Sequence, residues 1–103
     1  MTARVVELDA SNWTNVLDFY ESILARLGAP PEHGRSVDAL VDSMVWGGMN
    51  KVEPPYTIKI RNTDGVCRDL LAEIALVTNA IAAARSEALK RTGHDVDVRF
   101  EVE

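Results

Sequence analysis

Two segments in the second half of the chain, Tyr56-Thr57-Ile58-Lys59-Ile60-Arg61 and residues 95–103 (Asp-Val-Asp-Val-Arg-Phe-Glu-Val-Glu), alternate apolar and polar residues almost without a break. A period of two makes a strand with one apolar and one polar face. Between them, over residues 66–91, apolar side chains fall instead at helical spacing: Cys67, Leu70, Leu71, Ile74, Val77, Ile81, Ala84 and Ala88 share one stripe, and Gly93 is the expected C-terminal cap. A strand, a long helix and a strand in that order predict a right-handed crossover between parallel neighbours. Strands buried on both faces would be apolar throughout, so alternation predicts helices on one face only and a two-layer fold.

The first half supplies the remaining elements. Residues 3–8, Ala-Arg-Val-Val-Glu-Leu, read as a strand that stops at a polar group in which Ser11 or Asn12 is the expected helix cap. Trp13, Val16, Leu17, Tyr20, Ile23, Leu24 and Leu27 then line one helical face, and Gly28 with Pro30 and Pro31 ends the helix. Trp13 and Tyr20 on that face read as core residues whose polar tips find partners. Ser36 caps a second, shorter helix with Val37, Leu40, Val41, Met44 and Val45 inward, closed by Gly47 and Gly48. Residues 47–55 form a loop between paired glycines and paired prolines, and residues 62–65 form a turn in which Thr63 or Asp64 caps the long helix. The expected fold is α/β and two-layered, a three-stranded parallel sheet with helices on one face in the order β-α-α-β-α-β. Residues 1–103 are expected to form one domain.

Sixteen acidic against eleven basic residues leave a net charge of −5. Nucleic-acid binding needs a basic face that displaces phosphate counterions, so the balance argues against it and favours a cationic partner. The single cysteine, Cys67, permits no internal disulfide, and on the helical stripe it reads as packed and inert. No apolar run approaches the length of a membrane span or a signal-peptide core, which makes a cytoplasmic location the expectation.

Function is expected in residues 30–44, where a Pro/Gly-punctuated loop (Pro-Pro-Glu-His-Gly-Arg) runs into the second helix. At about 100° per residue, Asp38 and Asp42 are about 40° apart, with Trp46 about 80° from Asp38 and Arg35 nearby. Carboxylates early in a helix are favoured by its dipole and free N–H groups, so helix stability alone also accounts for these two. An exposed helix face supplies no shielded carboxyl with a raised pKa, which argues against acid–base catalysis and against an enzyme. His33 and His94 have no partner histidines at ligand spacing and read as surface residues, so neither a metal nor a cofactor is expected. P-loop, dinucleotide-binding, hydrolase-elbow and zinc-protease signatures are all missing.

Pro-Glu-His-Gly followed by Ser-Val-Asp-Ala-Leu-Val-Asp-Ser-Met resembles the loop and second helix of the barstar family of intracellular ribonuclease inhibitors. The Pro-Pro-Tyr-Thr-Ile-Lys-Ile-Arg-Asn segment and Gly93 with Asp95 extend the likeness to the second and third strands, and the element order is the family's. The resemblance implies an inhibitor, or immunity protein, that plugs the basic active site of a ribonuclease. Asp42 matches the plugging carboxylate, Asp38 the second acidic contact, and Gly34 the glycine at which loop backbone meets the enzyme. His33, Arg35, Ser36, Val41 and Trp46 complete the expected partner-binding surface, and Glu87 is the candidate for an acidic contact from the long helix. Val41 stands where the family usually has tryptophan, Ser36 where it has asparagine, and the segment before the second strand is longer. These departures bear on which nuclease is bound. The other class of reading is an interaction module of the same fold, without nuclease inhibition, acting through the 47–55 loop and Trp46. The free chain is expected to be monomeric.

Overall fold

The computed structural model describes residues 4–47 and 50–103. Strand β1 (Arg4–Asp9) leads to helix α1 (Val16–Leu27), then α2 (Val37–Val41), which continues into a π-helical turn (Asp42–Trp46). Strand β2 (Tyr56–Arg61), helix α3 (Arg68–Thr92) and strand β3 (Val98–Val102) complete the chain. The sheet order is β1-β2-β3 with both pairs parallel, as the crossover argument requires. Positions 3 and 48, expected to begin the first strand and to help close the second helix, lie outside the described residues.

Register aligns the inward residues across the sheet. Val6 faces Ile58 and Ile58 faces Phe100, while Leu8 faces Ile60 and Tyr56 faces Val98. Val6, Leu8, Tyr56, Ile58, Ile60 and Val98 are buried against the helices together with Phe19, Ile23, Leu27, Leu40, Met44, Leu70, Ile74 and Val77. The opposite sheet face is charged: Arg61 lies 3.5 Å from Glu7, and Lys59 lies 3.1 Å from Glu103. Val5 is the one large apolar residue on this face, so the face has little apolar area to hide, which is why the fold stops at two layers.

Several local expectations are corrected. The cap of α1 is Asn15, not Ser11 or Asn12: its side chain accepts the Asp18 N–H at 3.1 Å, and the Asp18 carboxylate reaches back to the backbone of Thr14 and Asn15. Starting the helix there turns Phe19 inward and leaves Leu17 48% exposed. Helix α3 is capped by Cys67 without a side-chain bond, not by Thr63 or Asp64. Cys67 and Leu71 are exposed, so the thiol expected to be packed faces solvent. Strand β3 starts at Val98 instead of Asp95, because Asp95 is held by the Arg85 guanidinium through bonds of 2.7 and 3.3 Å. Gly93 caps α3 in the left-handed conformation, as expected.

Candidate functional site

Helix α1 ends on Gly28 at φ +69, a conformation that suits glycine, and an added Cβ there would sit 2.8 Å from the Lys51 Cβ. The chain then turns, with His33 N–H donating to the Pro30 carbonyl at 3.0 Å. The His33 ring enters the interior and is only 3% exposed. Its Nδ1 is 2.7 Å from the Gly34 carbonyl and its Nε2 is 2.8 Å from the Ser43 Oγ. A carbonyl only accepts, so Nδ1 carries a proton and donates to Gly34, while the Ser43 Oγ that meets Nε2 also lies 3.4 Å from the Leu40 carbonyl. This corrects the reading of His33 as a surface residue. With its ring out of solvent, it ties the loop at Gly34 to Ser43 of the second helix. Ser43 was not singled out in the sequence, although it follows Asp42 directly and falls on the inward side of the helix.

Ser36 caps α2 as expected, its Oγ accepting the Ala39 N–H at 3.2 Å. Gly34 lies against this first turn, where an added Cβ would be 3.3 Å from the Ala39 Cβ. Its glycine therefore serves close approach of loop to helix. Asp38 and Asp42 are both exposed, one turn apart on unbroken helical backbone. Beyond Asp42 the ladder widens: the Gly47 N–H reaches the Asp42 carbonyl at 3.0 Å, five residues back. Wider turns rotate each residue less, so Trp46 swings back from its α-helical position toward the line of the two aspartates. Trp46 is 45% exposed and Val41 is half-buried.

Glu7, Glu103, Asp95 and Asp97 have partners in Arg61, Lys59, Arg85 and Arg99, and Glu87 pairs with Arg91 on the exposed side of α3. The remaining pair joins Arg35 to Glu21 at 3.7 Å. Asp38, Asp42 and Glu73 have no lysine or arginine within 4.0 Å among the described residues. Glu87 is thus occupied locally, and Glu73 is the acidic residue of α3 that meets the candidate surface. Glu73 accepts a short hydrogen bond from the Tyr20 hydroxyl. Burial first, then the Glu73 carboxylate, holds the Tyr20 phenol above its ordinary pKa of 10.0. Glu73 was missed because its one trace in the sequence is its place at the edge of the apolar stripe, three residues after Leu70.

Arg35, Ser36, Asp38 and Glu73 line one groove of about 450 Å³ between α1 and α3. Asp42 and Trp46 continue the surface along the second helix, and His33 lies buried behind the loop. Among the described residues no cluster of three His, Cys, Asp or Glu side chains is able to hold a metal ion. No described helix is long and apolar enough to cross a membrane.

A comparison with curated proteins gave no match. The family model described as Barstar (barnase inhibitor) matches residues 3–101, nearly the whole chain. This chain belongs to the barstar family.

Proposed function

We propose that this chain is an inhibitor, or immunity protein, that blocks the basic active site of a ribonuclease or related toxin nuclease. The observation that carries the reading is the pair Asp38 and Asp42, exposed on one helix face without a cationic partner among the described residues. A carboxylate that is solvated in the free chain and faces Arg and Lys in the complex is a hot spot of the kind for which barnase–barstar pairing is itself a standard example. Asp42 takes the plugging position and Asp38 the flanking one. The Gly34 backbone, Arg35, Ser36, Val41 and Trp46 form the rim, with His33 supporting the loop. A net charge of −5 steers a basic enzyme toward this face. The chain works as an antitoxin in the cytoplasm of the producing cell, is monomeric until bound, needs no cofactor, and touches neither nucleic acid nor membrane. Val41 selects the enzyme, since it replaces an aromatic contact by a smaller apolar one.

The test measures RNA hydrolysis by a basic ribonuclease, with barnase as the first probe, titrated with this chain. Inhibition is expected to weaken as salt rises and to fall by at least about 2 kcal/mol of binding in Asp42→Ala. A folded Asp42→Ala chain that inhibits normally would remove the central residue of the proposal. The 45% exposure of Trp46 favours one other reading, self-association through Trp46 and the 47–55 loop. A dimer on gel filtration that Trp46→Ser dissociates, with Asp42→Ala silent, would put that reading in its place.

A further inference from the structure

We infer that strand β3 and the flank of α3 beside it form a self-complementary edge, at which a second copy of this chain pairs with its β3 antiparallel to the first. This goes beyond the inhibitory reading and uses none of the residues that meet a nuclease there. β3 is an outer strand of the sheet. The Asp97 carbonyl and the Glu103 N–H bond to β2, and backbone groups alternate in direction along a strand, so those of Val98, Phe100 and Val102 point off the sheet. Val98 is satisfied within the chain, its N–H donating to the Val96 carbonyl at 2.9 Å and its carbonyl accepting from Arg85 at 3.2 Å. Phe100 and Val102 have no such partner among the described residues, and the Val102 side chain is 48% exposed. Antiparallel pairing about a two-fold axis at Phe100 lets the two Phe100 residues exchange N–H···O bonds, and the Val102 N–H reaches the second lone pair of the other copy's Val98 carbonyl. On the charged face this register sets Arg99 opposite Glu101 of the second copy, twice. Asp97 and Glu103 already hold cations at 2.8 and 3.1 Å, whereas Glu101 has none within 4.0 Å among the described residues. A two-fold axis at Glu101 would instead set two carboxylates against each other, so charge fixes the axis at Phe100.

The helix carries the same symmetry. Leu71, Ala75, Thr78, Ala82, Arg85 and Leu89 recur at the alternating four- and three-residue spacing of a coiled-coil seam. Arg85 reaches the Val98 carbonyl, which turns this stripe toward β3, and Leu71 and Leu89 at its ends are 39% and 47% exposed. The helix runs against the strand: Thr63, ahead of α3, bonds Glu103, and Arg85, near its other end, bonds Val98. Phe100 lies two residues beyond Val98, about 6.6 Å of strand or about four residues of helix. Counted back from Arg85, that falls at Ile81. The stripe is symmetric about the adjacent Ala80, so the axis that pairs the strands also brings Leu71 to Leu89 of the second copy and Thr78 to its Ala82. Leucines then meet at both ends and small residues between them. The interface is small and each copy carries a net charge of −5, so pairing is weak, with a dissociation constant on the order of 0.1 mM, and the dilute chain stays monomeric.

The experiment is sedimentation equilibrium of the whole chain from about 10 µM to about 1 mM, where a concentration-dependent dimer is expected. Arg99→Glu and Glu101→Arg, both on exposed side chains, are each expected to weaken the dimer about tenfold, because each sets like charges opposite one another. The double variant carrying both changes is expected to restore it. Leu89→Glu weakens it through the helix stripe, while Trp46→Ser and Asp42→Ala leave it unchanged, and urea midpoints check that each variant is folded. A chain that stays monomeric throughout the range, a dimer that the single charge changes leave intact, or a double variant no tighter than the single ones would overturn the inference. So would a dimer that Trp46→Ser dissociates, since pairing would then run through another surface.

Discussion

His33 Nε2 lies 2.8 Å from the Oγ of Ser43, and both side chains are buried behind the helix face that exposes Asp42. The bond ties the loop to the π-helical turn, so the surface is braced from inside. Removing Ser43 leaves the His33 Nε2 without its partner in the interior, and removing His33 leaves Ser43 only its 3.4 Å bond to the Leu40 carbonyl. Ser43→Ala is expected to cost about 1–3 kcal/mol for that reason, and His33→Ala more, because it also opens a cavity. Urea unfolding measures both, and a His33→Ala chain of unchanged stability would contradict the bracing role.

The cap of α1 carries a pH signature. Hydrogen bonds from the Thr14 backbone and hydroxyl, with a smaller one from Asn15, hold the Asp18 carboxyl below its ordinary value of 3.8. A depressed folded pKa contributes stability that is present above 3.8 and is lost as pH falls through the folded value. The stability gap between the chain and Asp18→Asn is therefore expected to be full at neutral pH and to close below 3.8, followed by urea midpoints across that range. Asn15→Ala, which removes the other half of the box, is expected to cost about 1 kcal/mol.

The two tyrosines are expected to respond differently to loss of their hydroxyls. Tyr20 donates to Glu73, whereas the buried Tyr56 hydroxyl has no partner among the described residues. Tyr20→Phe is expected to cost about 1 kcal/mol and Tyr56→Phe to be near neutral or stabilising. Burial raises both phenols above 10.0, with Glu73 adding to the effect at Tyr20. The stability each contributes is present below pH 10.0 and is lost as pH rises through the folded value. Absorbance titration is expected to show tyrosinate only above pH 10.0 while the chain remains folded.

Gly28 and Gly93 end their helices in the same left-handed conformation but in different surroundings. An added Cβ at Gly93 meets nothing within 4 Å, so Gly93→Ala is expected to cost only the backbone term of about 1–2 kcal/mol. At Gly28 the same atom would sit 2.8 Å from the Lys51 Cβ, and Gly28→Ala is expected to cost more. Equal unfolding midpoints for the two variants would show that Lys51 moves aside freely.

Much of this structure was legible as periodicity. The alternation of residues 56–61 and the helical stripe that follows dictate a parallel strand-helix-strand unit, and the same arithmetic puts Asp38 and Asp42 on one exposed face. Boundaries were read less well where a local hydrogen bond competes with the pattern. The Asn15–Asp18 capping box starts α1 later than its apolar stripe suggests, and the Arg85 bridge to Asp95 delays β3. The π-helical turn, which redirects Trp46, has no signature in residue spacing.

The sequence by itself determined the element order, the inward face of the sheet, the helix that carries two aspartates and the family likeness. Only the tertiary structure decided that His33 is interior and that Glu73, not Glu87, stands with Asp38. It also decided that these carboxylates lack cations among the described residues, while Glu7, Asp95, Asp97 and Glu103 are paired. The physical reason is separation: Tyr20 and Glu73 are 53 residues apart, and His33 must turn inward to meet Ser43. Periodicity reports which side of an element faces the core, because burial repeats along the chain. Which polar group meets which depends on how two elements cross, and no local repeat encodes that crossing.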